Sequence, residues 1–246
     1  MKTRCLSLVV ALFLSFPVVA LERLTYYTED YPPFNYGLGG KLEGYSVELL
    51  EAIFSEAGVE LDRNDVRLVP WARGYYAALN QPNTVLFSTT RTPARESLFQ
   101  WVGPISPDRV VLLAHRDHQK PLHDLADLSD HQRHVVVIRD DIGAQRLLEE
   151  GVPEDRLHYA INNSSALAML AAGRIDYWAY GESVAQWLME QQGFDVADFI
   201  PLYTLNEAEL YFALHPETDE ELVQRMQSAL DSVRAKGLFP LRTFDD

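Results

Sequence analysis

Three hydroxyl residues in succession, Ser88, Thr89 and Thr90, are followed five positions later by Arg95. The apolar run Val85-Leu86-Phe87 reads as a short buried strand that delivers them. Thr92-Pro93 reads as the start of a helix, with Thr92 as N-cap and Pro93 in the first turn. Hydroxyls, the free N–H groups of a helix start and a planar guanidinium fork together suit a small anion, above all a carboxylate. The plainer alternative is that the hydroxyls cap a turn and Arg95 is a solvated surface side chain.

Further chemistry-bearing residues fall where strands are expected to end: Tyr31 and Phe34, Trp71 and Arg73, Asp141, Asn163 and Ser164, and Tyr180. Open α/β sheets bind ligands beyond the carboxyl ends of their strands. Aromatic rings, hydroxyls and two arginines gathered there make a pocket for a small organic anion. Trp71 and Tyr180 could equally be core. Other chemistries find little support. The seven histidines (His115, His118, His123, His131, His134, His158 and His215) show no metal-binding spacing. There is no nucleophile elbow, Gly181-Glu182-Ser183 not being one, and no glycine-rich phosphate loop. No metal or cofactor is expected.

The elements that must position these groups alternate in type. Arg23 to Thr28 reads as a strand and Ser46 as the N-cap of a helix ending near Gly58. Val66 to Val69 is a strand, the segment from Pro70 to Leu79 a helix, and Val85 to Phe87 a third strand. Trp101 to Pro107, with two prolines, makes a poor central strand, whereas Arg109 to Ala114 is strongly strand-like. A second α/β unit follows, with strands at 135–138, 157–161 and 177–180 and helices at 144–150, 162–172 and 183–192. Phe199 to Thr204 and Glu209 to Leu214 read as two strands, and Asp219 to Lys236 as a long amphipathic helix stopped by Gly237. The order predicts an α/β fold with parallel sheets flanked by helices.

The chain has 246 residues, of which 47% are apolar, enough for one large domain or two smaller ones. Acidic residues outnumber basic ones by 36 to 21, a formal charge of −15. This excludes nucleic acid and anionic membrane surfaces as expected partners. Lys2 and Arg4 precede an apolar stretch, Leu6 to Phe16, and small residues end at Ala20. The pattern reads as a secretory leader cleaved after about Ala20, an uncleaved anchor being the alternative. No later run approaches roughly 18 apolar residues, so the mature chain is expected to be soluble, and the one cysteine, Cys5, precedes the apolar stretch, so it is expected to be free of disulfides.

Five stretches in order, Y-P-P-F-N from Tyr31, G-Y-S-V-E-L from Gly44, S-T-T-R-T-P-A-R from Ser88, A-G-R-I-D from Ala172 and Y-F-A from Tyr211, resemble the family 3 extracellular solute-binding proteins. The resemblance implies a two-lobe type II periplasmic-binding fold, with lobe 1 at 21–107 and 209–246, lobe 2 at 108–208, and two crossover strands between them. It implies a periplasmic, monomeric protein that captures a carboxylate-bearing small molecule for an ABC permease or a membrane sensor. By position, Arg95 matches the carboxylate clamp, Ser88 and Thr90 its strand-end partners, and Tyr31 and Phe34 the aromatic wall. Asp141 stands where a hydroxyl residue is usual. Gly181 stands where amino-acid binders carry an aspartate for the ligand ammonium, which puts an ordinary α-amino acid in doubt. The alternative is an exported dehydratase on the same scaffold, for which Glu182 and Asp141 are the available acids.

Overall fold

The computed structural model describes residues 21–242 apart from 118, 121 and 131. The expected leader at 1–20, Cys5, His118 and His131 therefore lie outside the described residues. Strands β1 (Thr25–Thr28), β4 (Arg67–Leu68), β5 (Thr84–Thr90), β6 (Gln100–His115), β7 (Val135–Val137), β8 (Leu157–Tyr159), β9 (Tyr177–Gly181) and β10 (Phe199–Leu214) form one sheet in the order β4-β1-β5-β10-β6-β9-β7-β8. Both ends of this sheet are parallel, β4-β1-β5 in one lobe and β9-β7-β8 in the other. The long antiparallel pair β6 and β10 passes through both lobes and joins them. A separate hairpin, β2 (Tyr36–Leu38) and β3 (Lys41–Glu43), extends the first lobe.

The first lobe holds α1 (Tyr45–Glu56), α2 (Trp71–Asn80) and α7 (Glu220–Ala235), with α1 packed on α7 and α2 on β5 and β1. The second holds α3 (Ala126–Asp130), α4 (Ile142–Glu149), α5 (Asn163–Ala171) and α6 (Glu182–Gln191). Its strands are apolar on both faces, as a covered parallel sheet requires. Val136, Trp178 and Tyr180 pack with α5 and α6, while Val135, Val137, Tyr177 and Ala179 pack with α3 and α4. Strand periodicity thus sends Tyr180 to one face and its neighbour Ala179 to the other.

Four local expectations are corrected. Thr92-Pro93 starts no α-helix: the chain turns and makes only a 3-10 segment at Glu96–Leu98, so this segment supplies no α-helix start beside Arg95. Trp101 to Pro107 belongs to β6, because before Val110 this strand pairs on one side only and its prolines fall on a free edge. The two strands expected at 199–214 are one, its register broken by shifts at three places. Finally, α1 is preceded by Gly44 at φ 118°, where a Cβ would collide with the Phe34 carbonyl. Ser46 is therefore not the cap but lies inside, bonded to Ser88.

Candidate functional site

The carboxyl ends of β1, β5 and β9, the middle of β6 and the starts of α2, α4 and α5 meet between the lobes. Arg95 is at the centre and is 1% exposed. Its Nη1 donates to the Thr90 carbonyl at 3.2 Å, its Nε to Gln145 Oε1 at 2.9 Å and its Nη2 to the Asp140 carbonyl at 3.3 Å. The guanidinium lies 5.3 Å from the Trp71 ring centre and 5.1 Å from that of Tyr75. Burial draws it below its ordinary value, against the opposing pull of Tyr75 and Asp141. All three hydrogen bonds go to protein oxygens, and two of those oxygens belong to the second lobe.

The Asp140 carbonyl is the hub of this closure. It accepts Trp71 Nε1 at 2.8 Å and Gln145 Nε2 at 3.0 Å besides Arg95. Asp140 has φ +60°, a left-handed conformation that aspartate tolerates better than most residues. Asp141 then caps α4, accepting the Ile142 N–H at 2.7 Å, and is buried. On the other side of the cleft Asn163 Nδ2 donates to the Asp30 carbonyl at 3.2 Å and to Tyr180 Oη at 2.5 Å. Asn163 is placed by the capping box of Asn162 and Ser165 at the start of α5.

Two buried acids complete the cluster, and no sequence motif singles them out. Asp108, in β6, lies with both carboxylate oxygens 3.1 Å from Tyr31 Oη, and Thr90 Oγ1 is 3.5 Å from one of them. Burial pushes its carboxyl up to about 7, with the charge of Asp141 adding to the rise. Glu29, at the end of β1, is 8% exposed and is raised well above its ordinary value by burial, then by Asp141 and Asp30. Burial likewise raises Asp141 against the stabilising charge of Arg95. Tyr31 and Tyr180 are also raised, first by burial. The centre is thus one guanidinium against three buried carboxyls.

Position 181 has no room for a side chain. A Cβ at this position would collide with Tyr31 Oη and lie 3.2 Å from Asp108 Oδ1. Val110 pairs with Gly181 across β6 and β9, so Asp108 brings its carboxylate to that spot from the neighbouring strand.

The remaining candidates divide. Tyr31 and Phe34 stack with ring centres 5.8 Å apart, and Tyr31 meets Tyr180 edge-on at 5.5 Å across the lobes. Ser88, at φ +58°, turns inward, bonding Asn35 Oδ1 and Ser46 Oγ. Thr89 Oγ1 donates to the Leu86 carbonyl within its own strand. Neither hydroxyl is turned toward the cleft by these bonds. Arg73 is exposed on the same face of α2 as Tyr76 and Asn80 and is not drawn into the cluster. Ser164 is exposed at the rim, accepting Gln192 Nε2 at 3.1 Å. Glu182 pairs with Arg109 at 3.4 Å.

A cavity of about 510 Å³ opens from the cluster toward solvent. Glu29, Trp71 and Asn163 stand at its inner end; Tyr36, Ile161 and Trp187 are among its apolar walls. Tyr36 and Trp187, one from each lobe, are in ring contact at 5.1 Å.

Two lobes with buried polar groups between them define a binding cleft. The chain belongs to the bacterial extracellular solute-binding proteins of family 3, whose model matches residues 24–240. No curated protein sequence matches it. Solved structures are similar over nearly their whole length. One is a histidine kinase sensor domain with similarity to periplasmic binding proteins (25% identity, 89% of this chain and 94% of that one, TM-score 0.75). Another is a substrate-binding protein of an ABC uptake transporter from Streptococcus pneumoniae with bound histidine (15%, 88% and 89%, 0.74). A third is an ancestral amino acid-binding protein, a precursor of cyclohexadienyl dehydratase (21%, 89% and 93%, 0.69). Among the described residues no helix is long and apolar enough to cross a membrane, and no group of three His, Cys, Asp or Glu residues is disposed to hold a metal ion.

Proposed function

We propose that this chain captures a small organic solute between its lobes in the periplasm, reached through the leader at 1–20, and presents the closed form to an ABC permease or a membrane sensor. The observation that carries this reading is the convergence of Arg95 and Trp71 of one lobe on the Asp140 carbonyl of the other, beside a cavity of ligand size. The hinge is assigned to the crossover pair, at the rung where Asp108 faces Ala208 and Pro107 faces Glu209. Separation of the lobes there frees Arg95 Nε and Nη2, and a solute that stabilises the closed form shifts the population toward it. A carboxylate-bearing solute is accommodated on Arg95 by exchange with Gln145 and the Asp140 carbonyl. The protein acts as a monomeric binder and not as an enzyme.

A thermal-shift screen of amines, amino acids and organic acids tests this. A solute at 100 times its Kd adds about 2.7 kcal/mol to stability. A hit is expected to reduce the radius of gyration in X-ray scattering. If no solute in the screen stabilises the protein, the proposal is wrong.

A further inference from the structure

The polar groups left over at the inner end of the cavity are acceptors. No hydrogen bond from a described residue reaches the Glu29 carboxylate, although Glu29 lines the cavity and is 8% exposed. Asn163 lines the same space, is 8% exposed, and its Oδ1 is buried with no partner. Its Nδ2 is fixed by two acceptors, so the amide orientation that leaves Oδ1 free is the one the network demands. Of the donors nearby, Arg95 directs one N–H from each of its three nitrogens at a protein oxygen and Trp71 Nε1 is held by Asp140, and none of these bonds goes to Glu29 or to Asn163 Oδ1. Buried acceptors without donors are costly, and a buried carboxylate without a counter-charge more so. Asp108 and Asp141 add negative charge to the same region, and Asp30 faces it too, with Arg95 the charge opposing them among the described residues. The cation that lines the cavity, Arg139, is exposed and stacks over the Tyr159 ring at 4.1 Å.

We propose that Glu29 and the Asn163 amide oxygen receive the ammonium group of a cationic amine whose apolar or aromatic body lies in the cavity between Trp71 and Trp187. This rests on the solute-binding reading and names the class of solute. An ammonium supplies three donors and one positive charge, which meets the unpaired acceptors and the excess of carboxylate together. Tyr36, Leu68, Ile138 and Ile161 give its body an apolar lining. The site selects for the amine through two acceptors contributed by different lobes, so closure completes it.

The test uses 2-phenylethylamine, phenylalanine and 3-phenylpropionate, which share a ring and differ in charge, within a wider panel of amines, amino acids, organic acids and sugars. Binding is measured by thermal shift and calorimetry on the parent and on Glu29→Gln, a near-isosteric change that keeps the backbone bond from Asn35. Solutes with an ammonium group are expected to bind more tightly than 3-phenylpropionate, and Glu29→Gln is expected to weaken the amine about 10–100-fold. Asn163→Leu is the second variant, expected to act in the same direction on the lobe 2 side. If only acids or neutral solutes bind, or if amines bind parent and Glu29→Gln alike, the inference fails while the solute-binding reading stands. If nothing in the panel binds, both fail.

Discussion

Tyr31 Oη lies 3.1 Å from each carboxylate oxygen of Asp108, in the volume a side chain at position 181 would need. The pair and a larger residue 181 exclude one another. Gly181→Ala is therefore expected to destabilise by about 1–3 kcal/mol through overpacking. The clash is with the phenol oxygen, so Tyr31→Phe in the same chain should recover part of that loss. Urea midpoints of the two single variants and the double variant measure the coupling. Additive losses would show that Tyr31 is not what Gly181 accommodates.

The raised carboxyls set the direction of a pH effect. In the unfolded chain Asp108 and Glu29 titrate in the ordinary carboxylate range, while in the folded chain Asp108 holds its proton to about 7 and Glu29 is also raised. Between those limits the folded state binds more protons, so stability is full on the acid side and falls as pH rises through about 7. Asp141, Asp30, Arg95, Tyr31 and Tyr180 face the same groups and shift the midpoint without changing this sign. Melting temperatures from pH 4.5 to 8.5 should decline for the parent relative to Asp108→Asn, which keeps an acceptor for Tyr31. A cationic amine favours the ionised acids, so its affinity should rise over the same window. Parallel melting profiles for parent and variant would contradict the assignment of the raised group.

Much of this arrangement is legible in the amino-acid sequence. The Asn162 and Ser165 cap, the buried strands at Val135 to Val137 and Tyr177 to Tyr180, and the partition of strands into two α/β units follow from local pattern. Glu29 and Asp108 are not legible there, because nothing local distinguishes a buried acid from an exposed one. Asp108 follows a proline that argues against a strand, and only the edge position of that part of β6 reconciles the two. The inward turn of Ser88 depends on a left-handed residue inside a strand, which no propensity for serine suggests. The glycine at 181 is the one local sign that this spot is filled from elsewhere, by Tyr31 Oη and Asp108.

Ser88 offers a sharp contrast between a ligand contact and a structural one. Its hydroxyl joins Asn35 and Ser46 in a buried network under α1. Ser88→Ala leaves those partners short of a bond and is expected to cost about 1–3 kcal/mol of stability. The affinity for a solute that stabilises the parent should change by less than about twofold, well under 1 kcal/mol. Chemical denaturation and calorimetry on one preparation separate the effects. A large loss of affinity at unchanged stability would return Ser88 to the binding surface.

Trp71 tests the closure itself. Its indole N–H bonds the Asp140 carbonyl across the cleft, while its ring covers the Arg95 guanidinium. Trp71→Phe keeps a ring over Arg95 but removes the bond, worth about 0.5–1.5 kcal/mol in the equilibrium between open and closed lobes. The loss lies between lobes and not within one, so the melting of each lobe should change little while the closed population falls. X-ray scattering of the variant should show a larger radius of gyration, and its apparent solute affinity should fall by about 2–10-fold. Arg95→Ala removes the second strut and the guanidinium facing Asp141, and is expected to lower the closed population and to abolish binding of carboxylate-bearing solutes while leaving the fold intact. Because the two struts end on one carbonyl and the Trp71 ring lies over Arg95, their losses should couple: Trp71→Phe in the Arg95→Ala background should change the radius of gyration by an amount different from its effect in the parent. Independent expansions by the two changes would mean that Trp71 and Arg95 do not act together on the Asp140 carbonyl.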